Sequence, residues 1–110
     1  MSKARAKGTS FETEVVNYLK EQGFSEAKRN ELNSPLGDLG NLPIVAECKN
    51  HKEMTLSTWM NQAEVSGSKA KKLFAVIHKR RGKNASKSYV TMSLDQFVEL
   101  LRAYGETIDF

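Results

Sequence analysis

Apolar residues recur at helical spacing in three segments of the chain, residues 11–19, 56–65 and 94–104. Each segment follows a residue type that commonly caps a helix, and the first two precede a glycine that commonly ends one. The pattern therefore predicts three helices. Their candidate caps and stops are Thr9 or Ser10 with Gly23, Thr55 or Ser57 with Gly67, and Ser93 with Gln96 in a capping box.

Short apolar runs between these helices predict strands. Residues 73–77 form a continuous apolar run, which is typical of a central strand covered on both faces. Gly40 and Asn41 provide a tight two-residue turn and predict a hairpin between a segment ending at Leu39 and the strand after it. The order of helix, three strands, helix, two strands and helix predicts a compact α/β domain. The other predicted strands are residues 27–32, 42–50 and 88–92.

The most informative feature of the chain is Glu47-Cys48-Lys49, at the end of the strand before the second helix. Strand alternation puts Glu47 and Lys49 on one face and Cys48 on the other. If the preceding turn brings Asp38 alongside, two carboxylates and a lysine converge, which suits Mg2+ binding and the placement of a water for attack on phosphate. Counting across the two-residue turn puts Asp38 nearer Pro43 than Glu47, so this convergence requires a bend or a bulge.

Glu12 is a carboxylate on the apolar stripe of the first helix, between Phe11 and Val15 on a helical wheel. A carboxylate on a buried stripe is costly unless it is paired, protonated or bound to a cation. A metal site beneath the helix would resolve that conflict. The alternative is that Glu12 lies at the edge of the stripe and pairs with a nearby Lys or Arg. Glu14 points toward the polar side, and we expect it at the surface.

Length and composition narrow the classes of protein. A chain of 110 residues has the usual size of one domain. No segment approaches the roughly 20 apolar residues that cross a bilayer, and the N-terminus lacks an apolar signal segment, so we expect a soluble intracellular protein without a membrane partner. Cys48 is the single cysteine and is expected to pack as a small buried side chain. His51 and His78 lack the spacing of a zinc site or a triad. Trp59 is expected to anchor the core or a dimer interface in preference to the alternative of a base-stacking platform.

The charge of the chain is unevenly distributed. The formal net charge is +4, yet eight of the 17 basic residues fall in two segments without acidic residues. The remainder has nine basic residues against 13 acidic ones. Such segregation favours binding of a polyanion at a defined surface, and the alternative is a solvated face with a frayed terminus. The two segments contain Lys3, Arg5 and Lys7, and Lys79, Arg80, Arg81, Lys83 and Lys87.

Glu12 on the first helix, Asp38 and the strand end Glu47-Cys48-Lys49 together resemble the PD-(D/E)XK nuclease superfamily. With Lys7-Gly8-Thr9-Ser10-Phe11 before Glu12, the chain resembles the Holliday junction resolvases of archaea and bacteriophages over most of its length. This resemblance implies a single-domain restriction-endonuclease-like fold, with a central mixed β-sheet flanked by helices in the order α-β-β-β-α-β-β-α. The departures are Gly37, where a proline often precedes the aspartate, and Cys48, where an aliphatic residue is usual.

The resemblance also implies a site. Glu12, Asp38 and Glu47 would ligate Mg2+, or Mn2+ in its place, and the backbone carbonyl of Cys48 would add a ligand. Lys49 would orient the attacking water or offset charge in the transition state. The alternative for Lys49 is an ion pair with Glu47 at an exposed strand end. Related nucleases often place a polar residue at the position of Gln62, although an ordinary surface glutamine is the favoured interpretation.

The implied substrate is branched DNA, most specifically a four-way junction, cut by a homodimer because two symmetric nicks require two sites. We expect a nuclease domain over residues 9–105, a flexible basic tail over residues 1–8 and a C-terminal tail over residues 106–110, in the cytoplasm, or in the host cytoplasm if the chain is phage-encoded. The alternatives are a nuclease of the same fold acting on duplex DNA, and a basic DNA-binding module whose carboxylates form structural ion pairs. The candidate DNA contacts are Lys7, Ser10, Arg29, Lys79, Arg80, Arg81 and Lys83.

Overall fold

Helices and strands alternate along the chain in a computed structural model that describes residues 3–108, with side chains from Thr9 onward. The α/β class, with three helices and mixed sheets among these residues, is confirmed. The side chain of Lys7, a candidate DNA contact, lies outside the described residues. The elements are α1 (Lys3–Glu21), β1 (Lys28–Arg29), β2 (Leu39–Gly40), β3 (Val45–Lys49), α2 (Leu56–Ala70), β4 (Phe74–His78), a short 3-10 turn (Ala85–Lys87), β5 (Tyr89–Thr91) and α3 (Leu94–Gly105).

The strands form two sheets instead of one central sheet. In the three-stranded sheet, β4 lies in the centre, parallel to β3 and antiparallel to β5. In the two-stranded sheet, β1 and β2 are antiparallel. The predicted hairpin on Gly40-Asn41 is wrong, because β2 pairs with β1 and residues 41–44 form an irregular bend. Asn41 holds this bend with a positive φ of 62° and a side-chain hydrogen bond of 2.9 Å to the carbonyl of Glu26.

Two helix boundaries differ from the predicted ones. The first helix begins at Lys3, before the predicted caps at residues 9 and 10, because Ala4, Arg5 and Ala6 all favour helix. The second helix continues through Gly67 to Ala70. A Cβ at Gly67 would lie 2.7 Å from Cδ1 of Phe74, so this glycine permits close packing on β4 and does not end the helix. The helix ends instead at Lys71, whose φ of 55° is left-handed.

The core consists of two apolar clusters, one on each side of β3 and β4. The first lies between α1 and the strands β2 and β3, and Phe11 is its largest helix side chain. The second lies under α2 and contains Trp59, Ala63 and Val76. Truncating a buried aromatic such as Phe11 to alanine is expected to cost about 3–5 kcal/mol. The two clusters hold α1 and α2 on opposite sides of β3, which ends in Glu47-Cys48-Lys49, called the Glu47 motif below.

The third helix differs from the other two in its burial. The predicted capping box at Ser93 is absent, because the hydroxyl bonds the Asp95 carboxylate and Gln96 turns inward. The backbone N–H of Phe74 donates to Oε1 of Gln96 at 2.6 Å, which ties α3 to β4. The apolar stripe of α3 faces outward: Leu94, Leu101 and Tyr104 are all more than half exposed. Within residues 3–108, none of the helices combines the length and apolar character that crossing a bilayer requires.

Candidate active site

Asp38 lies directly beside the Glu47 motif. Its backbone N–H donates to the carbonyl of Ala46 at 3.0 Å, and its Oδ2 accepts from the N–H of Cys48 at 2.7 Å. From the other side, the N–H of Asn30 donates to the Asp38 carbonyl at 2.8 Å. The bend at residues 41–44 makes this possible, because a tight turn would have placed Asp38 further from Glu47. The structure thus brings together the two carboxylates whose approach the sequence left open.

Gly37 fixes the approach of Asp38 to β3. Its φ is 92°, in a region that proline cannot adopt and that other side chains rarely adopt. A Cβ at this position would lie 2.8 Å from Cγ1 of Val45 and 3.1 Å from the carbonyl oxygen of Ala46. Glycine at position 37 therefore has a local cause: the chain passes here too close to β3, and in a backbone conformation that other residues rarely adopt, for a larger residue to fit easily.

Glu47 is a buried carboxylate whose charge is only partly compensated. Its side chain is 2% exposed, and the Ser66 hydroxyl donates to Oε1 at 3.3 Å. Its Oε2 is buried and accepts no hydrogen bond from a donor group in the described part of the chain. Burial, the negative charge of Asp38 and a hydrogen bond between the two carboxyl groups together raise the pKa of Glu47 to about 7, and Lys49 and Ser66 oppose the shift. A buried anionic oxygen without a partner is a position where a bound cation would be stabilising.

Glu12 reaches the same neighbourhood from α1. Burial raises the pKa of Glu12, and the Asp38 carboxylate raises it too, while Arg29 and Lys49 lower it. Among the residues with described side chains, Glu12 has no salt-bridge partner within 4.0 Å. Glu12 therefore lies within electrostatic range of Asp38 and Lys49, and Arg29 lies close enough to act on it.

Lys49 is held by a side chain from α2. Its Nζ donates to Oε1 of Gln62 at 2.8 Å. Gln62 is exposed, as expected, but it also positions Lys49. Ser66, which bonds Glu47, follows Gln62 by four residues on the same helix face. Sequence reasoning missed Ser66 and undervalued Gln62. The available signal was this spacing, together with a glycine at position 67 that lets the helix lie close to the sheet.

Cys48 is surrounded by the three carboxylates. Burial raises the pKa of its thiol, and Asp38, Glu12 and Glu47 raise it further, so the thiol stays protonated and inert. In residues 9–108, no three acidic, His or Cys side chains stand in a geometry that would hold a single ion. The donor set nevertheless fits Mg2+, since it offers carboxylate oxygens and includes the unpartnered Oε2 of Glu47.

The predicted DNA contacts fall into distinct surroundings. Lys79 follows β4 beside the site, where its N–H donates to the Lys49 carbonyl at 2.9 Å, and its Nζ lies 3.6 Å from Oε2 of Glu14. Arg80 lies over the ring of Tyr89 at 4.6 Å. Arg81 and Lys83 are exposed in the turn that follows. Ser10 is exposed on α1 and lies inside the helix, so it is not the predicted cap.

The chemistry of this site rests on its residues alone, because no protein-family model, no curated protein and no solved structure matches this chain. The site combines the adjacent carboxylates of Asp38 and Glu47, a third carboxylate within electrostatic range, and a lysine held by a hydrogen bond. The segment after β4, called the cationic loop, lies at the same end of the sheet and contains Lys79, Arg80, Arg81 and Lys83. Such a set can bind a divalent cation and a phosphate diester together.

Proposed function

We propose that this protein is a Mg2+-dependent endodeoxyribonuclease of the PD-(D/E)XK type, with a restriction-endonuclease-like fold, that cleaves four-way DNA junctions. The observation that carries the proposal is the buried Glu47 carboxyl group packed against the Asp38 carboxylate, with an Oε2 that no donor group among the described residues reaches. A binding module has no reason to retain such a group, because an unpaired buried carboxylate destabilises the fold. A cation bound there, with Mn2+ able to replace Mg2+, would remove that cost.

Each residue of the site has a role in this proposal. Asp38, Glu47 and Glu12 would hold the metal, with the carbonyl of Cys48 as a further oxygen donor. When bound, the metal supplies an activated water and neutralises charge on the phosphate. Lys49 stabilises the negative charge that develops on the phosphate, and its bond to Gln62 orients it before the substrate binds. Ser66 donates to Oε1 of Glu47, so in this proposal Oε2 would be the oxygen that binds the metal.

The DNA surface in this proposal extends from the site along the cationic loop. Lys79, Arg80, Arg81 and Lys83 contact the phosphate backbone, while Ser10, Arg29 and Lys7 contact phosphates nearer the cleaved bond. These contacts set affinity and position without reading base sequence. They suit an enzyme that recognises the shape of a branched DNA. We place the proposed enzyme in the cytoplasm, or in the host cytoplasm if it is phage-encoded.

Two symmetric nicks require two sites, so the proposed enzyme acts as a two-fold homodimer. The outward apolar stripe of α3 supports this assignment, because a second copy would cover Leu94, Leu101 and Tyr104, which are exposed in the single chain. Leu101→Glu would place a charge in that interface. We expect the variant to sediment as a monomer while keeping its fold, and a wild-type chain that is itself monomeric at working concentrations would contradict the dimer.

The decisive experiment compares cleavage of a labelled four-way junction and of a linear duplex of the same sequence, with Mg2+ and with EDTA. Wild type and Asp38→Asn are tested together, and Glu21→Gln serves as the control for a surface carboxylate on α1. Paired metal-dependent nicks in the junction alone, lost in Asp38→Asn, are the expected result. Equal cutting of both substrates would indicate a duplex nuclease, and tight binding without cutting would indicate a non-catalytic DNA-binding module.

A further inference from the structure

A second concave surface lies next to the carboxylate site and is lined by aromatic and imidazole rings. It encloses about 280 Å3. The ring centroids of His51 and Trp59 are 5.6 Å apart, those of Trp59 and His78 are 6.0 Å apart, and those of His78 and Tyr89 are 5.6 Å apart. Trp59 and His78 are buried and form the floor, whereas His51 and Tyr89 are exposed at the rim. The four rings form a continuous row from the rim, across the floor and back to the rim. We call the whole concave surface the ring pocket.

The remaining polar lining of the ring pocket is cationic. Lys52, Lys79, Arg80 and Arg81 line it, and no acidic side chain does so among the described residues. Arg80 stacks over Tyr89 at 4.6 Å, and among the four cations Lys79 alone forms a salt bridge within residues 9–108, with Glu14. Burial lowers the pKa of His78, whose Nε2 lies 2.8 Å from Oγ1 of Thr91.

Rings and cations in one pocket match the two parts of a nucleotide. A base stacks on aromatic side chains and arginine planes, and its phosphate pairs with lysine and arginine. Bases within a duplex are already stacked on their neighbours and cannot enter such a pocket. An unpaired base can, and stacking of one base on aromatic side chains contributes about 1–3 kcal/mol.

The ring pocket is also placed correctly relative to the carboxylate site. In the register of the parallel strands, His78 pairs with Lys49 of the Glu47 motif. The rest of the pocket lining comes from the segments that follow β3 and β4, from the start of β5 and from Trp59 of α2. A DNA strand crossing this end of the sheet would therefore meet the carboxylate site and the ring pocket in succession.

We propose that the ring pocket binds an unpaired nucleotide of the DNA substrate at the branch point, beside the strand that is cut. This assignment rests on the proposed nuclease function for its branch-point location. The binding of an unpaired nucleotide rests on the pocket alone and is measurable without catalysis.

The experiment uses the fluorescence of Trp59, which is the only tryptophan of the chain. The full-length protein in EDTA is titrated with a short oligothymidylate, with a hairpin duplex and with inorganic phosphate. The variant is Tyr89→Leu, since Tyr89 is 52% exposed and its loss leaves the core intact. Tyr89→Phe keeps the ring, and Phe24→Leu, after the end of α1, removes an exposed ring that does not line the pocket and serves as a matched control.

We expect saturable quenching by oligothymidylate, weakened roughly 5- to 100-fold in Tyr89→Leu, as the loss of one stacking contact predicts. Tyr89→Phe and Phe24→Leu should bind as wild type does, and the hairpin and phosphate should bind far more weakly. Equal affinity for oligothymidylate in Tyr89→Leu and wild type, or equal affinity for the hairpin, would overturn the proposal.

A junction carrying the fluorescent base aminopurine at its branch point tests the location. Bound by Asp38→Asn protein, this base should change its emission, and the change should vanish when Tyr89→Leu is added; an emission change that survives Tyr89→Leu would refute the branch-point assignment. The two proposals fail separately. Absent cleavage with Tyr89-dependent oligothymidylate binding would remove the nuclease and keep the nucleotide pocket. Normal cleavage with Tyr89-independent binding would do the reverse.

Discussion

The carboxylate site and the ring pocket lie side by side at one end of the three-stranded sheet, but they carry their charge in opposite ways. The carboxylate site buries its negative charge: Glu47 is 2% exposed, and its Oε2 accepts from no donor group within residues 9–108. The ring pocket keeps its positive charge at the surface, on flexible side chains such as Arg81. A buried unpaired charge destabilises a fold, whereas an exposed one costs almost nothing. The first arrangement therefore indicates catalysis more strongly than the second indicates binding.

The largest expected effect comes from removing the buried charge. Glu47→Gln should reduce Mg2+-dependent cleavage of a four-way junction by about a thousandfold, because a bound metal supplies several kcal/mol of transition-state stabilisation. Glu12→Gln should act in the same direction, since Glu12 shares the field of Asp38. The measurement is single-turnover cleavage, with Glu21→Gln, an exposed carboxylate of α1, as the control. Full activity in Glu47→Gln would dissociate catalysis from this site.

The same substitution should stabilise the metal-free protein. Burial raises the pKa of Glu47 to about 7, against an ordinary value of 4.5. Between these values the folded state binds more protons than the unfolded state, so stability falls as pH rises, and the full penalty applies above pH 7. The upper bound is about 3 kcal/mol, from 1.36 kcal/mol per pKa unit.

Urea unfolding in EDTA at about pH 5 and about pH 8 measures this linkage. Wild type should lose stability between the two pH values, Glu47→Gln should lose much less, and Glu14→Gln should follow wild type. Mg2+ should stabilise wild type at the higher pH and leave Glu47→Gln almost unchanged. Identical pH dependence of wild type and Glu47→Gln would show that Glu47 titrates normally and that its burial carries no penalty.

Local patterns in the sequence contained half of the carboxylate site. Strand alternation predicted that Glu47 and Lys49 share a face, and the helical wheel identified Glu12 as a carboxylate on an apolar stripe. In the structure the negative charge of Asp38 raises the pKa of both Glu12 and Glu47. The approach of Asp38 itself was not predictable, because it depends on hydrogen bonds from Asn30 and to Ala46, in segments that no local rule connects.

The helices show the same limit. The periodicity of α3 is strong and predicted a helix correctly, but it could not say what would cover the apolar stripe, which faces outward. Gly67 was interpreted as a helix stop because glycine usually ends helices, whereas its role is contact with Phe74 of β4. Local pattern decides which element forms; which surface approaches it depends on distant residues.

A glycine pair compares the rigidity of the two regions. Gly37 and Gly82 both have positive φ, of 92° and 69°. A Cβ on Gly37 would crowd Val45 and Ala46 of β3. A Cβ on Gly82, in the cationic loop, would meet nothing within 4 Å. Gly37→Ala should therefore cost about 2–4 kcal/mol, from left-handed strain plus overpacking, and Gly82→Ala about 1 kcal/mol.

Gly37→Ala should also reduce cleavage more than binding, because it displaces Asp38 from the N–H of Cys48. Urea unfolding and junction cleavage of the two variants give the two readouts. Equal losses of stability in Gly37→Ala and Gly82→Ala would mean that β3 shifts to accommodate the added methyl group. The carboxylate site would then be no more rigid than the cationic loop.

The smallest expected effect concerns individual cations of the loop, and it separates free from paired charge. Each phosphate contact that is lost should lower the salt slope of DNA binding by about one. Arg81→Gln and Lys83→Gln should each do so, because both side chains are exposed. Lys79→Gln should lower the slope by less, since its Nζ already lies 3.6 Å from the Glu14 carboxylate. Binding of Asp38→Asn protein to a junction over a range of salt concentrations measures the slopes, with Lys69→Gln on α2 as the control. A slope that falls equally for Lys69→Gln would show that net charge, and not this loop, determines binding.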